Sequence, residues 1–275
     1  MIVDDPLDPD LMRAGLKTRR VGRSILVYER TASTNDVAAE HARNPDHDGL
    51  VVFAEEQTAG RGRTGAKWQS RPGDSLLFSF VLIDCDVAGE LLALACAVAV
   101  AEAIGQVGGR QAAIKWPNDI LLDDRKVAGI LVESRVQKRQ GDCRVGLPRP
   151  APGAIHVIGI GINCHQTQDA FPDDLQTTAT SLDMIAGTRC QRVTVAKRVL
   201  TSLDSWLLAA ERSKTQVIET WSRLSTQLGR RVTLVYNDRR FTGNCIGVDP
   251  ENGLILQLDR GGIRMFDAAH TRIAK

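Results

Sequence analysis

"KWPNDILLDDRKVAGILVE" spans residues 115–133, and its folding decides the architecture of the chain. The short strand read in "AAIKW" (112–116) stops at Pro117, which cannot continue a ladder of hydrogen bonds. "DILLDDRKVAGILVESRV" (119–136) then reads as a hairpin that turns at Asp123–Asp124. A hairpin is antiparallel, and antiparallel hairpins mixed with helices predict an α+β fold rather than a doubly wound parallel sheet. The same hairpin returns Lys126 to the turn that carries Lys115, Asn118 and Asp119, or close to it. Solvated charges explain any one of these residues. They explain less well two lysines, an amide and an acid gathered at one turn.

The flanking chain fits this frame. "SILVYER" (24–30), "LVVFAEE" (50–56), "SLLFSFVLI" (75–83) and "AIHVIGIGINC" (154–164) read as strands. "STNDVAAEHAR" (33–43) reads as a helix capped by Ser33 or Thr34, with Asp36 in its first turn. Residues 88–106 form a long helix that is apolar nearly all round, which suits burial. Its longest apolar stretch, Leu91 to Ala101, is too short to span a membrane. "RQGDCRVGLPRPAPG" (139–153) reads as an exposed connection, and helices follow at 192–212 and 214–227. The periodicity then changes to short strands in "RRVTLVY", "RRFTGNCIGVD", "GLILQLD" and "IRMFDA", which predict a small β-barrel. The expected units are residues 1–227 and 228–275.

"GRGRTG" (60–65) matches the dinucleotide-binding pattern letter for letter. That pattern works only when a helix follows, because the helix N-terminus holds the pyrophosphate. Here "AKWQSRPGDS" follows, with proline and glycine, and runs into a strand. The Walker A pattern fails as well, since Gly65 precedes Ala66-Lys67. What remains is chemical. The glycines let backbone approach a ligand. Arg61 and Arg63 offer bidentate hydrogen bonds to phosphate or carboxylate. Gln57 adds an amide and Trp68 a flat surface, so the segment suits a lid over an anionic ligand.

Bulk properties narrow the classes. The chain has 275 residues, 43% hydrophobic and 25% charged, an ordinary globular composition. A net charge of +2 argues against a general binder of nucleic acid or membrane surfaces. The six cysteines form no Cys-x-x-Cys pair and read as free thiols of a reducing cytosol. "MIVDDPLDPD" has neither a basic nor an apolar signal region, so a cytoplasmic protein is expected.

Taken together, "STN" (33–35), "EQTAGRGRTGAKW" (56–68), "KWPNDI" (115–120), "RKVAGILVE" (125–133), "GIGIN" (159–163) and "ATSL" (179–182) give the chain a specific resemblance. It resembles the biotin protein ligases from about residue 20 to the end. The resemblance implies a mixed sheet with helices, like the catalytic domain of class II aminoacyl-tRNA synthetases, and an SH3-like C-terminal barrel. It implies ATP-dependent activation of biotin to biotinyl-5′-AMP, then transfer to a lysine of a biotin carboxyl carrier protein such as the acetyl-CoA carboxylase subunit. Lys126 then contacts the biotin carboxylate and the phosphate. Arg61 and Arg63 engage phosphate and retain the adenylate. Ser33, Thr34 and Gln57 hydrogen-bond the ureido ring, with Asn35, Gly60 and Gly129 also against biotin. Trp68 lies near the adenine, with Lys115, Asn118 and Asn163 near the nucleotide. Asp119 positions the incoming amine. Mg²⁺ is expected because it offsets the charge of ATP. No metal-ligand cluster is readable in the sequence.

Thr64 and Ala66 depart from the more fully basic loop common in the family. Some members also repress transcription through a winged helix. About 20 residues precede the first strand, too few for that domain, so no DNA partner is expected. A lipoate ligase of the related fold is the alternative; it predicts an arginine-rich, glycine-run motif in place of "GRGRTGAKW" and "KWPND". The loops at 57–68 and 165–180 are expected to be mobile without ligand. The sequence leaves the oligomeric state open, a homodimer included.

Overall fold

The computed structural model describes residues 5–136 and 153–274. The proline-rich stretch at 139–152 lies outside the described residues. One sheet has seven strands: β1 (Ile25–Thr31), β2 (Val51–Gln57), β3 (Ser75–Cys85), β4 (Ala113–Lys115), β5 (Asp119–Leu122), β6 (Arg125–Val136) and β7 (Ala154–Asn163). Their order is β1-β2-β3-β7-β6-β5-β4. β1 and β2 pair in parallel, and every other pair is antiparallel. The expected α+β class with a mixed sheet is the one observed. The hairpin turns where expected: Asp123 and Asp124 carry φ of 48° and 58°, left-handed values that aspartate tolerates.

Among the described residues, six helices accompany the strands: α1 (Pro9–Arg13), α2 (Thr34–His41), α3 (Gly89–Gly108), α4 (Leu182–Ala186), α5 (Arg192–Arg212) and α6 (Lys214–Leu224). α3, α5 and α6 cover one face of the sheet. Phe53, Phe78, Phe80, Ile158, Ile160 and Ile162 point into that core. α3 is long and apolar enough to cross a membrane by length and composition alone. It is instead the central core helix, buried from Leu91 to Ile104 with little interruption. α2 covers only one end of the opposite face, where Ala38 and Ala42 pack on Val52, Val81 and Val157. Over the rest of that face the chain after β2 brings Trp68 onto Gly129 and Gly161.

The tail forms a second antiparallel sheet from β8 (Arg231–Tyr236), β9 (Arg239–Asp249), β10 (Gly253–Leu258), β11 (Ile263–Phe266) and β12 (Thr271–Ile273). Its order is β11-β10-β9-β8-β12, consistent with the SH3-like barrel expected. Leu234, Leu254, Leu256 and Phe266 join the same apolar core as the helices. Ala268 N donates to Glu90 Oε1 of α3 at 3.1 Å, a second tie.

α1, α4 and β12 have no counterpart in the sequence reading. Each has five residues or fewer, too short for periodicity to register. A further feature is a buried ionic knot. Arg192, fully buried at the start of α5, donates to Glu55 Oε2 at 2.7 Å and to the Ser75 carbonyl at 3.1 Å. It also donates to the Asp5 carbonyl. The knot pins the N-terminal segment and α5 to β2 and β3.

Candidate active site

The pairing registers build a floor on that same face. Ala54, Leu77, Gly161, Gly129, Asp119 and Lys115 fall in one row across β2, β3, β7, β6, β5 and β4. Val52, Ser79, Gly159 and Leu131 form the next row. Three glycines thus sit together on adjacent strands. A Cβ on Gly161 would lie 2.5 Å from the Trp68 indole, and one on Gly159 would lie 2.1 Å from Asn35 Oδ1. No side chain other than glycine fits under those groups, so a flat surface is obligatory here.

Above this floor is a cleft of about 310 Å³. Ser33, Thr34, Asn35, Gln57, Arg61, Arg63, Trp68, Lys115, Asn118, Asp119, Lys126 and Gly129 all line it. Twelve of the residues expected from sequence therefore converge from four segments, 33–35, 57–68, 115–119 and 126–129. Gly60 and Asn163 do not line this cleft. Gly60 is buried beneath the arginine loop, where a Cβ would meet the Trp68 carbonyl at 2.8 Å. Asn163 lines a second cavity of about 600 Å³ with Gln166 and Phe171. Trp68 and Lys126 border both spaces.

One end of the cleft is lined by amides and hydroxyls. Gln57 Oε1 accepts from Thr34 N at 2.7 Å and from Thr34 Oγ1 at 3.1 Å. Ser79 Oγ lies 2.7 Å from Thr34 Oγ1 and donates to Asn35 Oδ1 at 2.5 Å. Asn35 Nδ2 donates to Glu133 at 2.7 Å. Ser33 occupies the N-cap of α2, but its side chain makes no capping hydrogen bond. Ser33 is nonetheless buried.

The other end is ionic. Lys126 Nζ lies 2.5 Å from Asp119 Oδ1 and 5.7 Å from the Trp68 ring centre. The β-bulge between Ile120 and Leu121 shifts the register so that Lys126 faces Leu121 while Gly129 faces Asp119. Asn118 is held by the hairpin itself: its Nδ2 donates to the Ile130 carbonyl at 2.7 Å.

The arginine loop folds back on itself, with Trp68 N donating to the Gly60 carbonyl at 3.0 Å and Gly62 N to the Ala66 carbonyl at 2.7 Å. A short 3₁₀ turn, Arg63–Gly65, lies inside it. The two arginines differ. Arg61 forms a bidentate pair with Asp36 of α2 at 2.8 and 2.6 Å, which lowers the Asp36 pKa. Arg63 Nη2 donates to the Thr271 carbonyl of β12 at 3.2 Å. Burial pulls its guanidinium pKa down, against the opposing pull of Glu90, Asp119 and Asp267. Arg63 is a partly desolvated cation at the cleft wall, whereas Arg61 already holds a counterion.

Trp68 lies flat over Gly129 and Gly161, and its Nε1 is buried without a protein acceptor. Sequence reasoning assigned no role to Ser79, Glu133, Gly159 or Gly161. The glycines were legible: two glycines at i and i+2 of one strand share a face. Ser79 and Glu133 enter only through cross-strand neighbours.

The fold and site together define an α+β protein with a glycine-floored cleft, polar at one end and cationic at the other. Residues 27–147 match the model of the biotin/lipoate A/B protein ligase family. The bifunctional ligase/repressor BirA of Bacillus subtilis is 33% identical over 261 residues, covering 94% of this chain and 76% of that protein. The biotin–[acetyl-CoA-carboxylase] ligase of Mycobacterium tuberculosis is 31% identical over 98% of each chain. The biotin protein ligase of Aquifex aeolicus, solved in complex with biotin and ATP, superposes with a TM-score of 0.74 at 25% identity, over 92% of this chain and 99% of that one. The chain belongs to the biotin protein ligase family.

Proposed function

We propose that this protein joins the carboxylate of biotin to the α-phosphate of ATP, releasing pyrophosphate, and passes the biotinyl group to a lysine of a biotin carboxyl carrier protein. The observation that carries this reading is the Lys126–Asp119 pair at one end of a glycine floor whose other end is a network of amides and hydroxyls. The ureido ring carries N–H donors and a carbonyl acceptor, whose partners an apolar wall cannot supply. Thr34, Asn35, Gln57 and the hydroxyl of Ser33 supply them. The thioether ring and valeryl chain lie along the glycines. The carboxylate then reaches Lys126.

In the first step a carboxylate oxygen attacks the α-phosphorus and the bond to pyrophosphate breaks. Negative charge gathers on the phosphoryl oxygens, within reach of Lys126 and Arg63, fixed cations in a partly dry cleft. In the second step the carrier amine attacks the anhydride carbonyl and AMP leaves. Asp119 orients the amine as Lys126 turns to the phosphate. The nucleotide base takes the second cavity, between Trp68 and Asn163. Mg²⁺ would supply charge neutralisation on the phosphates. Asp119 is the sole carboxylate of the main cleft among the described residues, which fits an ion held mainly by phosphate oxygens and water.

We assign the catalytic unit to residues 1–227. Residues 228–275 have a supporting part, because Thr271 holds Arg63. The free thiols and this chemistry fit a cytoplasmic enzyme. The test is pyrophosphate release with ATP, Mg²⁺ and either biotin or lipoate, followed by mass spectrometry of a carrier domain. Faster adenylation of lipoate overturns the assignment.

A further inference from the structure

A second constellation of reactive side chains lies outside the cleft. β7 ends at Asn163 and the chain continues into Cys164 and His165. It returns through Asp183 in the first turn of α4 and reaches Cys190 before α5. The ligand atoms of His165, Asp183 and Cys190 all lie within 4.8 Å of one another. His165 Nδ1 is 2.7 Å from Asp183 Oδ2. None of these residues has a part in the reaction above.

The donors are held from behind. Asp183 N donates to the Cys164 carbonyl at 3.0 Å. Cys190 N donates to Asp183 Oδ1 at 2.7 Å, which fixes one carboxylate oxygen and leaves the other toward the imidazole. On the far side of the ring, His165 Nε2 faces Asp5 Oδ2 at 3.4 Å. A carboxylate behind the second nitrogen of a histidine is the usual support of a metal-bound imidazole, because it fixes the tautomer and raises ligand basicity. Asp5 is itself fixed, accepting from Arg192 N at 2.7 Å. The His165 side chain is only 4% exposed.

We propose that His165 Nδ1, Asp183 Oδ2 and Cys190 Sγ form a binding site for a divalent transition metal, with zinc the best match. A thiolate, an imidazole and a carboxylate are a tetrahedral zinc donor set with the fourth position left to water. Binding displaces the Cys190 thiol proton and the proton between His165 and Asp183, and both pass to solvent. The ion ties the end of β7 to α4 and to the segment before α5. That clamp stands directly behind Asn163, which donates to the Thr180 carbonyl at 3.0 Å, and behind Ser181, which caps α4. By joining these segments the ion stiffens the wall of the second cavity.

The test uses the full chain, reduced and stripped with a chelator, then titrated with Co²⁺ or Zn²⁺. The expected result is one ion per chain retained through gel filtration. Bound Co²⁺ should show thiolate-to-cobalt charge-transfer absorption, lost on adding Zn²⁺, and Tm should rise with either metal. Cys190→Ser should abolish the charge-transfer band, while Cys245→Ser, in β9, should keep it. Asp5→Asn, outside the donor set, should weaken binding by about 10–100-fold. Wild-type protein that retains no ion overturns the proposal even if a variant misfolds. So does an undiminished charge-transfer band in Cys190→Ser.

Discussion

Lys126 Nζ and Asp119 Oδ1 stand 2.5 Å apart across the β5–β6 hairpin, with the Trp68 ring centre 5.7 Å from the same ammonium. The lysine is thus held by one carboxylate and one indole face, and its side chain is still 36% exposed. It is poised toward the cleft rather than engaged in the core.

Lys126→Ala should lower the rate of adenylate formation by about 10²–10³-fold, the effect of losing one preorganised charge donor. The fold should survive, since no core contact depends on the ammonium. Pyrophosphate release under saturating biotin and ATP, with circular dichroism as the control, measures both. Turnover near wild type removes Lys126 from the mechanism.

Arg63→Gly should loosen the loop from β12 by deleting the bond to the Thr271 carbonyl. The expected consequence is escape of biotinyl-5′-AMP and labelling of lysines on bystander proteins. A streptavidin blot of bovine albumin co-incubated with the variant reads this directly, and a clean blot counts against retention by Arg63. Arg61→Gly should leak less, because Arg61 is paired with Asp36.

Gly161→Val places a branched side chain where the Trp68 indole lies, with its Cβ 2.5 Å from Cε2. Overpacking of this kind costs about 1–3 kcal/mol, and here it falls on the ligand floor. Biotin affinity measured by calorimetry should drop about tenfold or more, and Tm should fall by a few degrees. Unchanged affinity would falsify the floor.

Arg192→Met should destabilise the protein by about 3–5 kcal/mol, because Glu55 is left buried without its cation. Urea denaturation measures the loss. Adding Glu55→Leu should restore part of it, since an apolar pair removes the stranded charge. No recovery in the double variant would show that the knot acts otherwise than through charge pairing.

The sequence by itself determined the hairpin, its turn at Asp123–Asp124, the apolar helix and the failure of the dinucleotide pattern. These are local: they follow from turn chemistry, proline and periodicity within a few residues. It also marked Lys126, Arg61, Arg63 and Trp68 through motif spacing. Only tertiary structure decided what those residues face. Sheet order brings Gly161 of β7 beside Gly129 of β6 and Leu77 of β3, although they are far apart in the chain. The packing of α2 over one end of the sheet leaves the other end to Trp68, and commits Arg61 to Asp36 rather than leaving it free. Arg192, Glu55 and Asp5 gave no pattern, because a buried ion pair has no period. Pairing between distant segments carries no mark in either segment alone, since each residue is ordinary until its partner arrives.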